Sequence, residues 1–182
     1  MAITLKLHVA MLYNYIMKGV INMSSEDALN GAKTIVMFLD GYINTVGREI
    51  GMEKALSLFT ETCEFMGAMR GAMTKQQSSI KQYDAKSAWS LLLKSLKDTA
   101  GFTYEILEES PQRVIVRNFK CPFYEGARML GIDDKTIETS CRAGSMRTAD
   151  AAVKQLNPNL SVRVLKFRST PDGFCDEEIV LG

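Results

Sequence analysis

Near Gly101 the spacing of apolar residues changes from three and four to two, and this splits the chain into a helical half, about 4–100, and a mixed half, about 101–182. In the first half Leu5, Val9, Leu12, Ile16 and Val20 line one helical face. Ser24 and Ser25 ahead of Glu26 and Asp27 mark a helix start, because a hydroxyl caps free N–H groups and acids favour the positive end of the dipole. That helix is predicted over 26–47 through Ile35, Leu39, Tyr42 and Val46, with Gly47 and Gly51 bracketing its end. A third helix, 52–76, carries Ala55, Leu58, Phe59, Thr62, Phe65, Met66, Met69 and Met73 as an inward stripe. Its Gly67-Ala68 and Gly71-Ala72 pairs let another backbone approach closely, or leave room at a cavity. A fourth, 84–98, turns Ala88, Leu92 and Leu96 inward with Trp89 as a core anchor.

Beyond Gly101, residues 102–109 and 113–119 alternate around the turn Ser110-Pro111-Gln112. Pro122–Leu130 resumes helical character, and 133–156 holds two short helices divided near Gly144 and ended by Asn157-Pro158-Asn159. Residues 160–168 and 174–181 alternate again around Thr170-Pro171-Asp172-Gly173. Two hairpins with short helices between them, after a run of long helices, predict an α+β fold: N-terminal helices packed on an antiparallel sheet. Residues 1–182 are expected to form a single domain, since a chain of this length buries roughly 70% of its unfolded surface unaided.

Composition narrows the function classes. The sequence is 46% hydrophobic and 24% charged, which excludes a disordered or polytopic membrane chain. With 22 basic against 21 acidic residues, it offers no broad attraction for nucleic acid. Segment 7–17 is apolar but is interrupted by His8 and Asn14, lacks an A-x-A-like site and is too short to span a bilayer. It reads as a helix of the mature protein in a reducing cytoplasm, with no membrane partner. Four cysteines without a CxxC pair are too few for a disulfide scaffold, and eleven methionines suit adaptable apolar packing or a reshapeable cavity.

The familiar nucleotide-binding, hydrolase and metalloprotease motifs are absent, and His8, the sole histidine, reads as structural or solvated. Cys121 follows a strand and precedes Pro122, a residue suited to the first position of a helix. A thiol there would face free N–H groups, which lower its pKa and favour a nucleophile or a metal ligand; the alternative is a small buried hydrophobe at the junction. Cys141 and Cys175 also fall near element ends, and with Cys121 they could form an open three-cysteine metal site, while Cys63 reads as core. Arg142 and Arg147 flank Gly144-Ser145 and offer either a carboxylate clamp with the Ser145 hydroxyl or two solvated cations. Asp133-Asp134 reads as a helix cap and Asp176-Glu177-Glu178 as the outer edge of a strand.

The run Asn118-Phe119-Lys120-Cys121-Pro122-Phe123-Tyr124-Glu125, then Cys141, Asn157-Pro158 and Pro171-Asp172-Gly173-Phe174-Cys175, resembles the L-2-amino-thiazoline-4-carboxylic acid hydrolase-like family. The same residues are similar to the 4-vinyl reductase group of small-molecule-binding domains. The resemblance covers roughly residues 20–182, with its motifs confined to 118–175. The hydrolase likeness implies opening a C–N bond of a small carboxylated heterocycle, with Cys121 as thiolate or metal-bound water as the attacking group and Arg142, Ser145 and Arg147 holding the ligand. The 4-vinyl reductase likeness implies a non-catalytic sensor for an apolar or tetrapyrrole-like ligand, with zinc or another transition metal on Cys121, Cys141 and Cys175. Sensor relatives carry a glutamate and a further cysteine before the last cysteine; here Val162–Phe167 has neither. A third reading is an interaction protein that packs as a homodimer through its long helices, its cysteines merely filling space.

Overall fold

The computed structural model describes residues 24–94 and 96–182; the first expected helix and His8 lie outside them. Helix α1 (Ser25–Ile50) starts where the hydroxyl of Ser24 accepts from the Asp27 N–H and the Asp27 carboxylate accepts from the Ser24 N–H. Gly51 alone separates it from α2 (Met52–Gln77). The expected fourth helix is broken into α3 (Ala85–Ala88), a π turn (Trp89–Leu93) and α4 (Leu96–Ala100). The Lys94 N–H reaches back to the Trp89 carbonyl, and the Arg70 guanidinium donates to the carbonyl of Leu92. A side chain taking up a ladder carbonyl is a recognised cause of such a break.

Gly101 makes the turn from helix to sheet. Its φ of +68° suits glycine, and a Cβ there would strike Leu29 and the Ser25 carbonyl. Strands β1 (Thr103–Glu109) and β2 (Arg113–Lys120) then pair as the first hairpin. Helices α5 (Pro122–Met129), α6 (Asp134–Ala143) and α7 (Ser145–Leu156) follow, and β3 (Leu160–Lys166) with β4 (Cys175–Leu181) closes the chain. The sheet is antiparallel throughout, in the order β1-β2-β4-β3. The fold is α+β, as the change of period requires, with helices packed against the sheet.

Val114, Val116, Leu160 and Ile179 of the sheet meet Trp89, Leu92, Val153 and Leu156 of the helices in the main core. The outer sheet face is a charge ladder: Arg117 makes paired hydrogen bonds of 2.8 and 3.0 Å to Asp176, and Arg113 meets Glu178 at 2.7 Å.

Most of the stripe expected to turn inward on α2 does not, although Ala55 is buried and Phe59 half-buried. Leu58, Phe65, Met66, Met69 and Met73 are exposed, as are Ile35 and Tyr42 on α1. The buried side of α2 carries Ala55 together with Gly67 and Gly71, the small residues expected to admit another backbone. A Cβ at Gly67 would overlap the Thr148 carbonyl, and one at Gly71 the Ala152 carbonyl. Residue numbers rise together along both helices, so α2 and α7 run parallel, backbone against backbone. Lys75 Nζ finishes the contact on the carbonyls of Gln155 at 2.9 Å and Leu156 at 3.2 Å. Closeness of approach, not apolar bulk, chose which side of α2 is inside.

Among the described residues no helix is long and apolar enough to cross a membrane, and all four cysteines are free. Gly67→Ala should lower unfolding free energy by about 1–3 kcal/mol through overpacking, whereas Gly31→Ala, with nothing within 4 Å among the described residues, should raise it by up to ~1 kcal/mol. Urea denaturation of both variants checks this; a stabilised Gly67→Ala would contradict the backbone contact.

Candidate functional site

The end of β2, the start of β4 and the ends of α5, α6 and α7 converge on a cavity between the helices and the sheet. It has two adjoining compartments that share Asn118, Cys121, Cys141, Ser145 and Glu177 in their walls. The smaller has a cavity volume of about 40 Å³ and adds Asp40, Tyr124 and Cys175. The larger has a cavity volume of about 260 Å³ and is walled mainly by apolar groups including Trp89, Leu92, Leu93, Phe102, Tyr104 and Val162. Cys63 also lines the larger compartment rather than sitting in closed core.

The three cysteines of the mixed half do converge here. Cys121 is the N-cap of α5, with Pro122 at the first helical position as expected. The expected lowering of its thiol pKa fails, however. Burial pushes the thiol well above its usual range, Cys141 adds to the rise, and the Tyr124 N–H offsets only part of it. Cys141, with its Sγ 3.3 Å from Ser145 Oγ, is pushed up to about 12, chiefly by burial. Both are therefore neutral thiols at physiological pH, and Cys121 is not a ready nucleophile.

Nor do the thiols form a ligand set. Among the described residues no group of three or more His, Cys, Asp or Glu side chains is arranged to hold a metal ion. Arg168, 2% exposed, donates Nε to Cys175 Sγ at 3.4 Å, so that sulfur already faces a cation. The same guanidinium donates to the carbonyls of Phe119 at 2.8 Å and Asn118 at 3.0 Å and lies 4.6 Å from the Tyr124 ring centre. As they stand, Cys121, Cys141 and Cys175 do not fit zinc.

Of the three ligand-holding candidates, only Ser145 reaches the cavity. Arg142 is exposed and bound to Glu138 at 2.6 Å, one helical turn away, and Arg147 pairs in solvent with Glu64 at 3.2 Å. The carboxylate clamp is replaced by two surface ion pairs. Asp133 caps α6 through the Thr136 N–H at 3.1 Å, as its position predicts.

The residue that the sequence reading placed wrongly is Glu177. In β4 the alternation Cys175, Glu177, Ile179 faces the helices, because their partners in β2 are Asn118, Val116 and Val114, and the last two are core. Asp176 and Glu178 face out and are paired with arginines, but Glu177 stands between Val116 and Val164 with its carboxylate bonded to the Asn118 side chain. Burial raises its pKa to about 7, which Asn118 and Arg168 only partly offset. Asp40 of α1, on the wall of the smaller compartment, is raised by burial to about 6. Period two carried the signal: Cys175, Ile179 and Leu181 share one phase, and Glu177 lies in it.

The Glu177 shift makes stability depend on pH. Both folded and unfolded carboxyls are protonated below the unfolded value of 4.5; from there to about 7 only the folded one is, so its contribution is lost as pH rises through about 7. Glu177→Gln should therefore gain roughly 2–3 kcal/mol relative to wild type between pH 5 and pH 8. Denaturant titration of both proteins at the two pH values reads this, and parallel pH dependence would contradict it.

No protein-family model matches the chain and no curated protein matches it. Among solved structures it is similar to a trafficking protein particle complex subunit 3 from Naegleria fowleri, covalently bound to palmitic acid. The TM-score is 0.57 at 9% identity, covering 84% of this chain and 95% of that one. At that identity the similarity is one of fold.

Proposed function

We propose that the chain is a small-molecule-binding domain that encloses an apolar ligand between its helices and its sheet. The observation that carries this reading is the larger compartment, walled by Trp89, Leu92, Leu93, Phe102 and Val162 in the middle of the fold. The indole N–H of Trp89 finds no acceptor among the described residues, at a cost of about 1–3 kcal/mol. The palmitic acid bound to the Naegleria fowleri subunit speaks for a fold that admits an apolar chain.

Hydrolysis of a carboxylated heterocycle has less support. Glu177 and Cys121 share a compartment, but the thiol is held neutral and Arg142 and Arg147 are engaged at the surface. A homodimer fits the binding reading as well, supported by the apolar side chains that α1 and α2 leave in solvent, Phe38 and Phe65 foremost.

Uptake of the neutral fluorescent probe N-phenyl-1-naphthylamine tests the reading. Wild type should bind it, and Ala149→Phe, which fills the larger compartment from α7, should weaken binding at least about tenfold with circular dichroism unchanged. No uptake by wild type, or equal uptake by the variant, would sink the proposal.

A further inference from the structure

We propose that the ligand of this cavity carries a protonated amine at its polar end, held against the carboxylate of Glu177, with its apolar body in the larger compartment. The inference rests on the apolar-ligand reading above and adds the chemistry of the head group. Three acids stand in a row on β4, and their fates differ. Asp176 and Glu178 have Arg117 and Arg113 within 2.8 Å. Glu177, between them, makes no ion pair within 4 Å among the described residues and projects into a cavity instead.

The smaller compartment adds a second carboxyl, Asp40, and among the described residues no lysine, arginine or histidine lines it. The described cations nearby make no contact with Glu177. Arg168 attracts it from a distance but donates to the carbonyls of Asn118 and Phe119, Lys33 pairs with Glu125, and Arg70, on the wall of the larger compartment, donates to the Leu92 carbonyl. A carboxylate charged inside apolar walls without a contacting counter-ion is costly, and a ligand that brings the counter-ion recovers that cost. The remaining groups at this end suit an ammonium. The Ser145 hydroxyl can accept one of its protons, and the aromatic ring of Phe123 borders both compartments. A carboxylate head would meet two acids, and an uncharged head would leave Glu177 without a partner cation.

The test uses three probes of equal chain length, decylamine, 1-decanol and decanoate, titrated calorimetrically into wild type, Glu177→Gln and Asp40→Asn. Decylamine should bind wild type at least about tenfold tighter than 1-decanol and decanoate, and Glu177→Gln should abolish that preference while keeping 1-decanol affinity, which also shows the cavity intact. Equal affinity for the three probes in wild type, or an amine preference that survives Glu177→Gln, overturns the amine inference and leaves the apolar-ligand reading standing. Failure of all three probes to bind wild type overturns both. Should Glu177→Gln lose 1-decanol as well, the wild-type ranking decides, together with a weakened amine preference expected in Asp40→Asn.

Discussion

Everything in the helical layer depends on how closely α2 and α7 touch. Gly67 and Gly71 place the backbone of α2 against the carbonyls of Thr148 and Ala152, and Lys75 and Glu64 tie the ends of the contact to Gln155 and Arg147. Held in this way, α7 stands over the sheet with Ala149 and Ala152 towards the larger compartment, and α2 contributes Cys63 and Arg70 to the same wall. The contact is made by small residues, so the large ones of α2, Phe65 and the methionines, are left on its outer side.

The sheet sorts charge by face. On the face away from the helices, Arg113 and Arg117 neutralise Glu178 and Asp176, carboxylates that the arginine side chains themselves help to cover. Inward, valine and isoleucine build the core, and one carboxylate interrupts them. The rise in the Glu177 pKa makes its charged form destabilising, and its position on a cavity wall beside Asp40 and two neutral thiols gives it a role that core packing does not.

Much of the architecture was legible in the sequence because periodicity and turn residues act locally. The capped start at Ser24, the turns at 110–112 and 170–173 and the split at Gly144 all fall where expected. The π turn at Trp89–Leu93 was not legible, since it answers to Arg70, about twenty residues earlier in the chain. On α2 the close approach at Gly67 and Gly71 was legible from their spacing, but Leu58, Phe65 and the methionines lie outside because that contact, and not apolar bulk, sets the inward face. At the site, convergence of Cys121, Cys141 and Cys175 was readable from their places at element ends. Their neutrality was not, because burial depends on the whole surrounding fold and overrode the helix terminus at Cys121. Glu177 was within reach, but reading three acids as a single patch hid the strand alternation that separates them.

Glu177 is an inward carboxyl on a mainly apolar cavity, with no ion-pair partner among the described residues. Carbon-13 NMR of the side-chain carboxyl, assigned with Glu177→Gln and followed with pH in ligand-free protein, measures it directly. A midpoint near 7 is the result this account requires, and a midpoint near the ordinary 4.5 would show a solvated or ion-paired carboxylate and contradict it.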